Sequence, residues 1–354
     1  MIIYSKNSNL NNAAFGKIQY PIRMIIENES DLLKKKGGIR DWLFNVEKSN
    51  KFGETIITQN EFSVFTPTAE GNSAESDGLL QTGMKFIEHI QYMKEFAITA
   101  EMLEDANYGV AADAKRRAEN FTRAYYKTMN KICELALIKG NSTTMNFAGT
   151  NIGITTADGQ PLFSVEHRWG SEQGDNYGSQ SNLFAGNICC AGTGTGRAPN
   201  AEAFEAGLAE LSVKIRNMKD ENGDPLGYTA DTIILPGNKP KLEQVVKKVC
   251  GSELAPGTAN NDINLHYGRW NIVILPNWTC SDNRLMVMSS EANKNLSGNM
   301  FFNRIPLTIS DWVDHHTGNY HWNGRCRFGV GFGNYKHILL AVDSESPGST
   351  YTPI

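Results

Sequence analysis

The feature that most constrains the fold is a long amphipathic helix predicted over residues 111–139. Its apolar side chains recur at steps of three and four residues, while basic residues such as Arg116 and Arg117 lie on other faces. Gly140 follows in the position that commonly ends a helix. At ~1.5 Å per residue the helix is roughly 45 Å long. A helix of that length is the spine of a domain rather than a short element of a small one.

A long β-hairpin is predicted before this helix. Strand-like runs at residues 54–65 and 84–92 flank a polar tip from Thr66 to Gly78. Arms of about 12 residues reach roughly 40 Å at ~3.3 Å per residue. An isolated two-stranded ribbon of this kind is marginally stable in water. We therefore expect it to lie on another surface, and an adjacent subunit is the natural candidate.

Two further regions follow the helix. The first has α/β character and contains a helix that begins after Asn200, a favourable N-cap residue. The second begins near residue 300 and is rich in strands. The remaining predicted elements are strands at 232–235, 272–275, 285–288, 306–313, 320–332 and 335–342 and a short helix near 242–249.

Residues 1 to about 50 are predicted to form an arm rather than a domain. Apolar residues are sparse until Trp42, Leu43 and Phe44, and the run Lys34–Gly38 interrupts any regular element. We favour a solvated basic patch for the lysines. The alternative is an extended segment that orders only on a neighbouring subunit, because termini stay ordered mainly when they are docked.

Composition limits the classes of function. The 354 residues suffice for two or three lobes, and 40% hydrophobic content argues against global disorder. A net charge of −4 argues against a free-standing nucleic-acid binder, which normally carries a basic excess. The start of the chain lacks the pattern of a signal peptide, and no window of about 18 apolar residues is present. We expect a soluble intracellular product without a membrane partner.

The cysteines are not expected to form a catalytic or metal site. All six are scattered without a CxxC pair, and adjacent Cys189 and Cys190 are poorly spaced to ligate one metal ion. Neither Cys133 nor Cys280 stands in a hydrolase signature. The glycine-rich run Gly192–Arg197 lacks the Gly-Lys-Ser/Thr ending of a phosphate loop, so we interpret it as a linker.

The densest set of potential metal ligands lies near the C-terminus, at Asp314, His315, His316 and His321. Consecutive histidines on a strand point to opposite faces, so they do not converge easily on one ion. We therefore expect no metal site, no cofactor and no catalytic residue.

Four motifs in a fixed order carry a resemblance to a known family. The central one is Asp158-Gly159 with Leu162-Phe163-Ser164 and His167, followed by Asn182-Leu183. The others are Leu103–Ala106, Asn260–Asn264 before Ile272–Ile274, and Arg327–Gly331. With these motifs the chain resembles the major capsid (head) subunit of tailed bacteriophages, in its Mu-like branch. The resemblance spans about residues 50 to 340.

The resemblance implies an α+β architecture, the Hong Kong 97 phage-type capsid fold. Its parts are a long E-loop hairpin, a peripheral (P) domain with a spine helix and long antiparallel strands, and an α/β axial (A) domain. The implied boundaries are an N-terminal arm at 1–50, the E-loop at 51–98, the P domain at 99–165 and 300–354 with the spine helix at 111–139, and the A domain at 166–299.

The implied function is structural and not enzymatic. Copies of the chain would form hexameric and pentameric capsomers of an icosahedral virion shell around double-stranded DNA, which they would contact non-specifically. Implied partners are the portal protein and possible scaffolding, protease and cement or decoration proteins. The chain departs from the type phage because it lacks a long helical N-terminal segment. The tip from Thr66 to Gly83 also lacks a lysine for a crosslink, and Lys85 is the only near candidate.

For the assembly interface we expect contacts from the hairpin tip and the arm. Acidic tip residues would pair with basic spine residues of an adjacent subunit, and apolar arm residues would add contacts. The expected residues are Glu70, Glu75, Asp77, Arg116, Arg117, Trp42, Leu43 and Phe44. An encapsulin-like nanocompartment shell is the alternative with the same fold, and a cytosolic hydrolase or metal enzyme is the alternative from another class.

Overall fold

The structure, a computed structural model, describes residues 3–4, 13–59, 62, 64–73, 76, 78, 81–99, 101, 109–170, 177–190, 198–253 and 263–343. The chain divides into two compact units. Unit 1 comprises Met1–Glu54, Ile87–Cys133 and Phe301–Val330. Unit 2 comprises Thr55–Phe86, Glu134–Met300 and Gly331–Ile354.

Unit 1 is built around a five-stranded sheet. The strands are β1 (Ile3–Tyr4), β2 (Asn45–Lys48), β5 (Ile90–Ile98), β14 (Asn299–Val313) and β15 (Tyr320–Phe332). Their order is β1-β14-β15-β5, with β2 paired to β14 as well. The long strands β14 and β15 contain the predicted runs 306–313 and 320–332. Strand β5 pairs antiparallel with β15, and Phe96 lies opposite Trp322.

The long predicted helix is confirmed as α3, Gly109–Ile138, within one or two residues of its expected ends. Ala118 and Phe121 of α3 belong to a buried cluster that includes Trp322 of β15. Gly324 makes the close approach possible, because a Cβ at this position would lie 2.3 Å from the Phe121 ring. The spine helix therefore packs its apolar face on the long strand.

The structure of the N-terminal region contradicts the prediction of an arm. Residues Ala13–Lys36 form a 24-residue helix, α1, followed by α2 at Ile39–Leu43. The lysine run forms the last turn of α1, where positive charge is favoured by the helix dipole. Ile22 and Ile26 are buried in the unit 1 core. The statement that the chain lacks a long N-terminal helix is therefore wrong.

The predicted hairpin is present, with shorter paired arms. β3 (Gly53–Gln59) and β4 (Gln81–Glu88) form a two-stranded sheet of seven and eight residues, which spans roughly 25 Å at ~3.3 Å per residue. The described residues between Phe62 and Gly78 carry no strand. Pro67 in this segment has no backbone N–H to donate to a ladder. The predicted return arm is divided at His89, beyond which β5 joins the unit 1 sheet.

Unit 2 is built around a mixed five-stranded sheet of order β10-β16-β13-β11-β12. β10 runs parallel to β16 and β11 parallel to β12, while β13 is antiparallel to both of its neighbours. The strands are β10 (Leu183–Gly186), β11 (Thr232–Pro236), β12 (Asn271–Leu275), β13 (Arg284–Met288) and β16 (Ile338–Asp343). The sequence pattern predicted all of these except β10.

Two helices cover the unit 2 sheet. They are α4 (Ala201–Arg216) and α5 (Pro240–Gly251), and a shorter α6 occupies Ser290–Asn295. Asn200 caps α4 as predicted, because its side chain accepts a hydrogen bond from the Glu202 backbone N–H. Phe204 of α4, Val246 of α5 and Leu285 of β13 share one buried cluster. The periodic apolar stripes of the sequence therefore face this sheet.

Two short hairpins complete unit 2. One joins β6 (Thr144–Phe147) and β7 (Thr150–Gly153), and the other joins β8 (His167–Gly170) and β9 (Tyr177–Gln180).

Among the helices within the described ranges, none is long and apolar enough to cross a membrane.

Candidate assembly surfaces

The β3–β4 hairpin carries an unusual density of exposed apolar side chains. Ile57 of β3 and Met84 and Phe86 of β4 are about half exposed or more. Phe65, in the segment between β3 and the tip, is 99% exposed. Exposed apolar side chains concentrated on one short ribbon are typical of a site for contact with another molecule. The hairpin is therefore the first candidate assembly surface.

Strand β4 of the hairpin is fixed to the rest of unit 2. The Lys85 ammonium group donates a hydrogen bond to the Thr155 hydroxyl at 2.7 Å, and burial lowers the pKa of Lys85. Gly83 allows β4 to approach the chain closely, since a Cβ there would lie 2.5 Å from the Ala157 carbonyl oxygen. The ribbon is thus held through β4, and its exposed apolar side chains remain available.

The residues that identified the sequence resemblance form a well-ordered central loop, Thr156–His167. His167 is fully buried and bridges two groups, because its Nδ1 lies 2.7 Å from the Asp158 carboxylate and its Nε2 lies 3.1 Å from the Leu162 carbonyl oxygen. The imidazole stacks on Tyr335, with ring centroids 3.7 Å apart. These contacts tie the loop to the segment before β16.

Asn182, the asparagine that ends the same motif, also holds the loop through its side-chain amide. Its Nδ2 donates to the Leu162 carbonyl at 2.6 Å, and its Oδ1 accepts from the Ser164 backbone N–H at 3.0 Å. Phe163 is buried against Gly140, just after the spine helix. The loop therefore positions elements of unit 2, and its Asp and His are used for packing rather than presented to solvent.

The three predicted arm residues separate into two groups. Trp42 is 56% exposed, whereas Leu43 and Phe44 are buried in the protomer. Buried side chains cannot contact a neighbour without unfolding, so Leu43 and Phe44 are corrected to core residues. Apolar character alone did not distinguish core from interface at these positions. Trp42 remains a candidate for assembly.

The predicted charged residues lie on exposed surface where they are described. Glu70 is exposed in the hairpin tip, while Glu75 and Asp77 lie outside the described residues. Arg116 is exposed and pairs with Asp113 at 2.9 Å. Arg117 donates to the Ala97 carbonyl oxygen at 2.9 Å. Both guanidinium groups are thus oriented by their own subunit.

The groups weighed as metal ligands near the C-terminus are used locally. Asp314 accepts hydrogen bonds from the His316 backbone N–H at 3.0 Å and from the Thr317 hydroxyl at 2.7 Å. His321 pairs instead with Glu95.

Burial raises the pKa of the Cys133 thiol well above its usual value and also raises that of Cys280. Neither thiol is therefore activated as a nucleophile.

Several motifs singled out in the sequence fall outside the described residues. These are Leu103–Ala106, Gly192–Arg197 and most of Asn260–Asn264.

One cluster of potential metal ligands was not predicted from the sequence. Within the described ranges, three potential ligand atoms come together at Cys189, Cys190 and Asp343. The carboxylate lies more than 150 residues from the thiols along the chain, so sequence spacing carried no signal for it.

The three-dimensional structure is similar to that of known capsid subunits. The capsid structure of the cyanophage P-SCSP1u matches with a TM-score of 0.51 and 11% identity, over 88% of this chain and 89% of that chain. The capsid of Myoviridae phage XM1 matches with a TM-score of 0.49 and 11% identity, over 87% and 92%. A structure from Mycobacterium phage Patience matches with a TM-score of 0.47 and 13% identity, over 98% and 93%.

No protein-family model and no curated protein matches the amino-acid sequence. At 11% identity, the cyanophage match establishes the fold. The α+β Hong Kong 97 phage-type capsid fold expected from the sequence is thereby confirmed.

Proposed function

We propose that the chain is the major structural subunit of an icosahedral shell that encloses double-stranded phage DNA. The observation that carries the proposal is the capsid fold, shared with the cyanophage subunit over 88% of the chain. The exposed apolar hairpin supports it, because exposed apolar area does not stabilise an isolated protomer, whereas its burial against a neighbour would stabilise an assembly. The location that follows is the virion capsid.

The mechanism is mechanical. Each subunit places its hairpin on a neighbour and receives another hairpin in return, so every subunit is held by several contacts at once. Multivalent contact of this kind raises the effective affinity well above that of any single interface. Ile57, Met84 and Phe86 supply apolar area, and Trp42 adds a large aromatic anchor of the type enriched at interfaces.

Complementary charges determine where the hairpin tip of one subunit sits on the spine helix of the next. The acidic tip, Glu70 with Glu75 and Asp77, pairs with Arg116 and Arg117 on the spine helix of an adjacent subunit. Rim charges of this kind contribute more to orientation and association rate than to affinity. The intrasubunit contacts of both arginines hold the guanidinium groups in place for such pairing.

The role is structural and not catalytic. The partners are other copies of the chain in hexamers and pentamers, a portal protein, and separate scaffolding, protease or decoration proteins. Contact with the genome is weak and non-specific, because the net charge of −4 offers no basic excess for phosphate binding.

Sedimentation of the purified protein tests the proposal. We expect fast-sedimenting closed particles in addition to free subunits, because the fold and the hairpin are those of a shell protein. Particles that carry protein cargo and no nucleic acid after co-expression with a phage packaging system would favour the nanocompartment alternative. A monomer at all concentrations, with a hydrolytic activity or a catalytic metal, would overturn the shell assignment.

Charge reversal tests the proposed tip contact. The double variant Glu70→Lys, Glu75→Lys should fold normally and form few or no particles, because it places lysines against Arg116 and Arg117. Reversal of both arginines to glutamate in the same chain should restore particles. Glu166→Lys, an exposed reversal away from the tip, is the matched control and should assemble. Normal assembly of the double variant would contradict the contact.

A further inference from the structure

A cluster of two thiols and a carboxylate lies in unit 2, apart from the assembly surfaces. The Sγ atoms of Cys189 and Cys190 and a carboxylate oxygen of Asp343 all lie within 4.8 Å of one another. The sheet creates this proximity. β10 runs parallel to β16 with Gly186 opposite Asp343, so the cysteines that follow β10 reach the end of β16.

The spacing of the two sulfur atoms fits a tetrahedral metal ion. Cys189 Sγ and Cys190 Sγ are 3.8 Å apart. Two sulfur atoms that bind the same tetrahedral zinc ion, each at about 2.3 Å, lie about 3.8 Å from each other. Adjacency in sequence argued against joint ligation, but the observed side-chain directions place both thiols on the same side. The carboxylate supplies a third ligand of a type that zinc accepts.

Surrounding hydrogen bonds hold the three groups in this arrangement. The Ile188 backbone N–H donates to Asp343 Oδ1 at 3.0 Å, and the Asn283 side-chain amide donates to Cys190 Sγ at 3.3 Å. The Asp343 N–H donates to the Asn283 carbonyl at 2.8 Å. Outer contacts of this kind orient metal ligands and support their affinity.

Burial and charge define what the site would accept. Both thiols are buried and Asp343 is partly exposed, so solvent access is through the carboxylate. Two soft sulfur ligands and one carboxylate oxygen favour a thiophilic divalent cation.

We propose that Cys189, Cys190 and Asp343 bind one thiophilic divalent cation of the zinc type. Each thiol releases its proton to solvent on binding, and the two thiolates and the carboxylate donate electron pairs to the ion. A water molecule completes the tetrahedron. The ion ties the end of β16 to the segment after β10 and stabilises unit 2. This inference is independent of the proposed shell function.

Cobalt(II) titration of the reduced full-length protein tests the site. We expect one Co²⁺ per subunit, with a thiolate-to-cobalt charge-transfer band and visible bands of tetrahedral cobalt, both removed by Zn²⁺. Asp343→Asn should weaken binding roughly tenfold or more, as loss of metal-site contacts does. Cys190→Ser should reduce the charge-transfer band. Cys250→Ser, a buried thiol elsewhere in unit 2, and Cys280→Ser should leave the spectrum unchanged.

Three outcomes would overturn the proposal. They are a wild-type protein without the charge-transfer band, an unchanged affinity in Asp343→Asn, and a spectrum that is lost in Cys280→Ser. Cys190 is a core residue, so its variant can fail to fold. The partly exposed Asp343 then decides the question, because its replacement leaves the buried core intact.

Discussion

At the scale of single residues, the partly buried pair Asp158–His167 determines how the central loop is held. The Leu162 carbonyl only accepts hydrogen bonds, so His167 Nε2 carries a proton. Burial by itself raises the pKa of Asp158, but hydrogen bonds from His167, Thr156 and the Gln160 backbone outweigh it and lower the pKa. The Asp158 carboxylate lies 2.7 Å from His167 Nδ1, and the imidazole stacks on the Tyr335 ring.

Loss of one partner should therefore be costly. We predict that Asp158→Ala lowers the free energy of unfolding by about 1–3 kcal/mol, because it leaves the buried His167 Nδ1 without its hydrogen-bond partner. Glu166→Ala, an exposed carboxylate in the same segment, should change it by less than about 0.5 kcal/mol. Chemical denaturation of the unassembled subunit measures both. Equal effects of the two variants would show that the pair contributes no stability.

The same pair gives a pH dependence. The pKa of Asp158 is lower in the folded protein than its ordinary value of 3.8. Its contribution is therefore present above about pH 3.8 and decreases as the pH falls through the folded-state pKa. The stability difference between the wild type and Asp158→Asn should shrink on acidification below that value. A difference that stays constant in thermal melts across this range would contradict the assignment.

At the scale of secondary-structure elements, the N-terminal helix α1 shows where sequence patterns fail. Among the α1 side chains that the structure describes, Ile22, Ile26 and the polar Ser30 are buried, and Pro21 and the lysine run suggest an irregular segment. The helix is stabilised by tertiary contacts that no local pattern contains. Ser30 hydrogen-bonds Tyr126 of the spine helix at 2.8 Å, and Arg123 pairs with Glu29 at 2.6 Å.

Docking of α1 can be tested with matched apolar truncations. We predict that Ile26→Ala, at a fully buried position, lowers the free energy of unfolding by about 2–4 kcal/mol. Leu32→Ala, on the same helix but 62% exposed, should have an effect below about 0.5 kcal/mol. Denaturant unfolding of the isolated subunit provides the comparison. A small effect of Ile26→Ala would show that α1 is not docked on its own subunit.

Whether the other elements could be predicted from the sequence depends on their length. The spine helix, α4, α5 and the strands β11 to β13 have enough periodic positions to be predicted from sequence. β10 has four residues, and its pairing with β16 joins segments more than 150 residues apart. The four-residue strands of the β6–β7 and β8–β9 hairpins contain too few alternations to give a signal. Non-local pairing stabilises these strands, and the sequence does not specify it locally.

At the scale of the whole molecule, the order of elements predicted the fold better than any single motif did. A long hairpin, a spine helix, an α/β lobe and terminal strands together define a capsid fold, and the cyanophage match confirms it. Surface residues were harder to predict. Leu43 and Phe44 are apolar and buried, whereas Ile57 and Phe86 are apolar and exposed. Residue type alone does not separate apolar residues of the core from those on the surface.

Cryo-electron microscopy of the assembled protein tests the central claim most directly. We predict closed icosahedral shells of pentamers and hexamers, in which the β3–β4 hairpin of each subunit lies on a neighbour and buries Ile57, Met84 and Phe86. The exposed hairpin surface seen in the protomer should become a contact in every subunit of the map. A sample that contains only monomers, or shells in which the hairpin projects into solvent, would contradict the account.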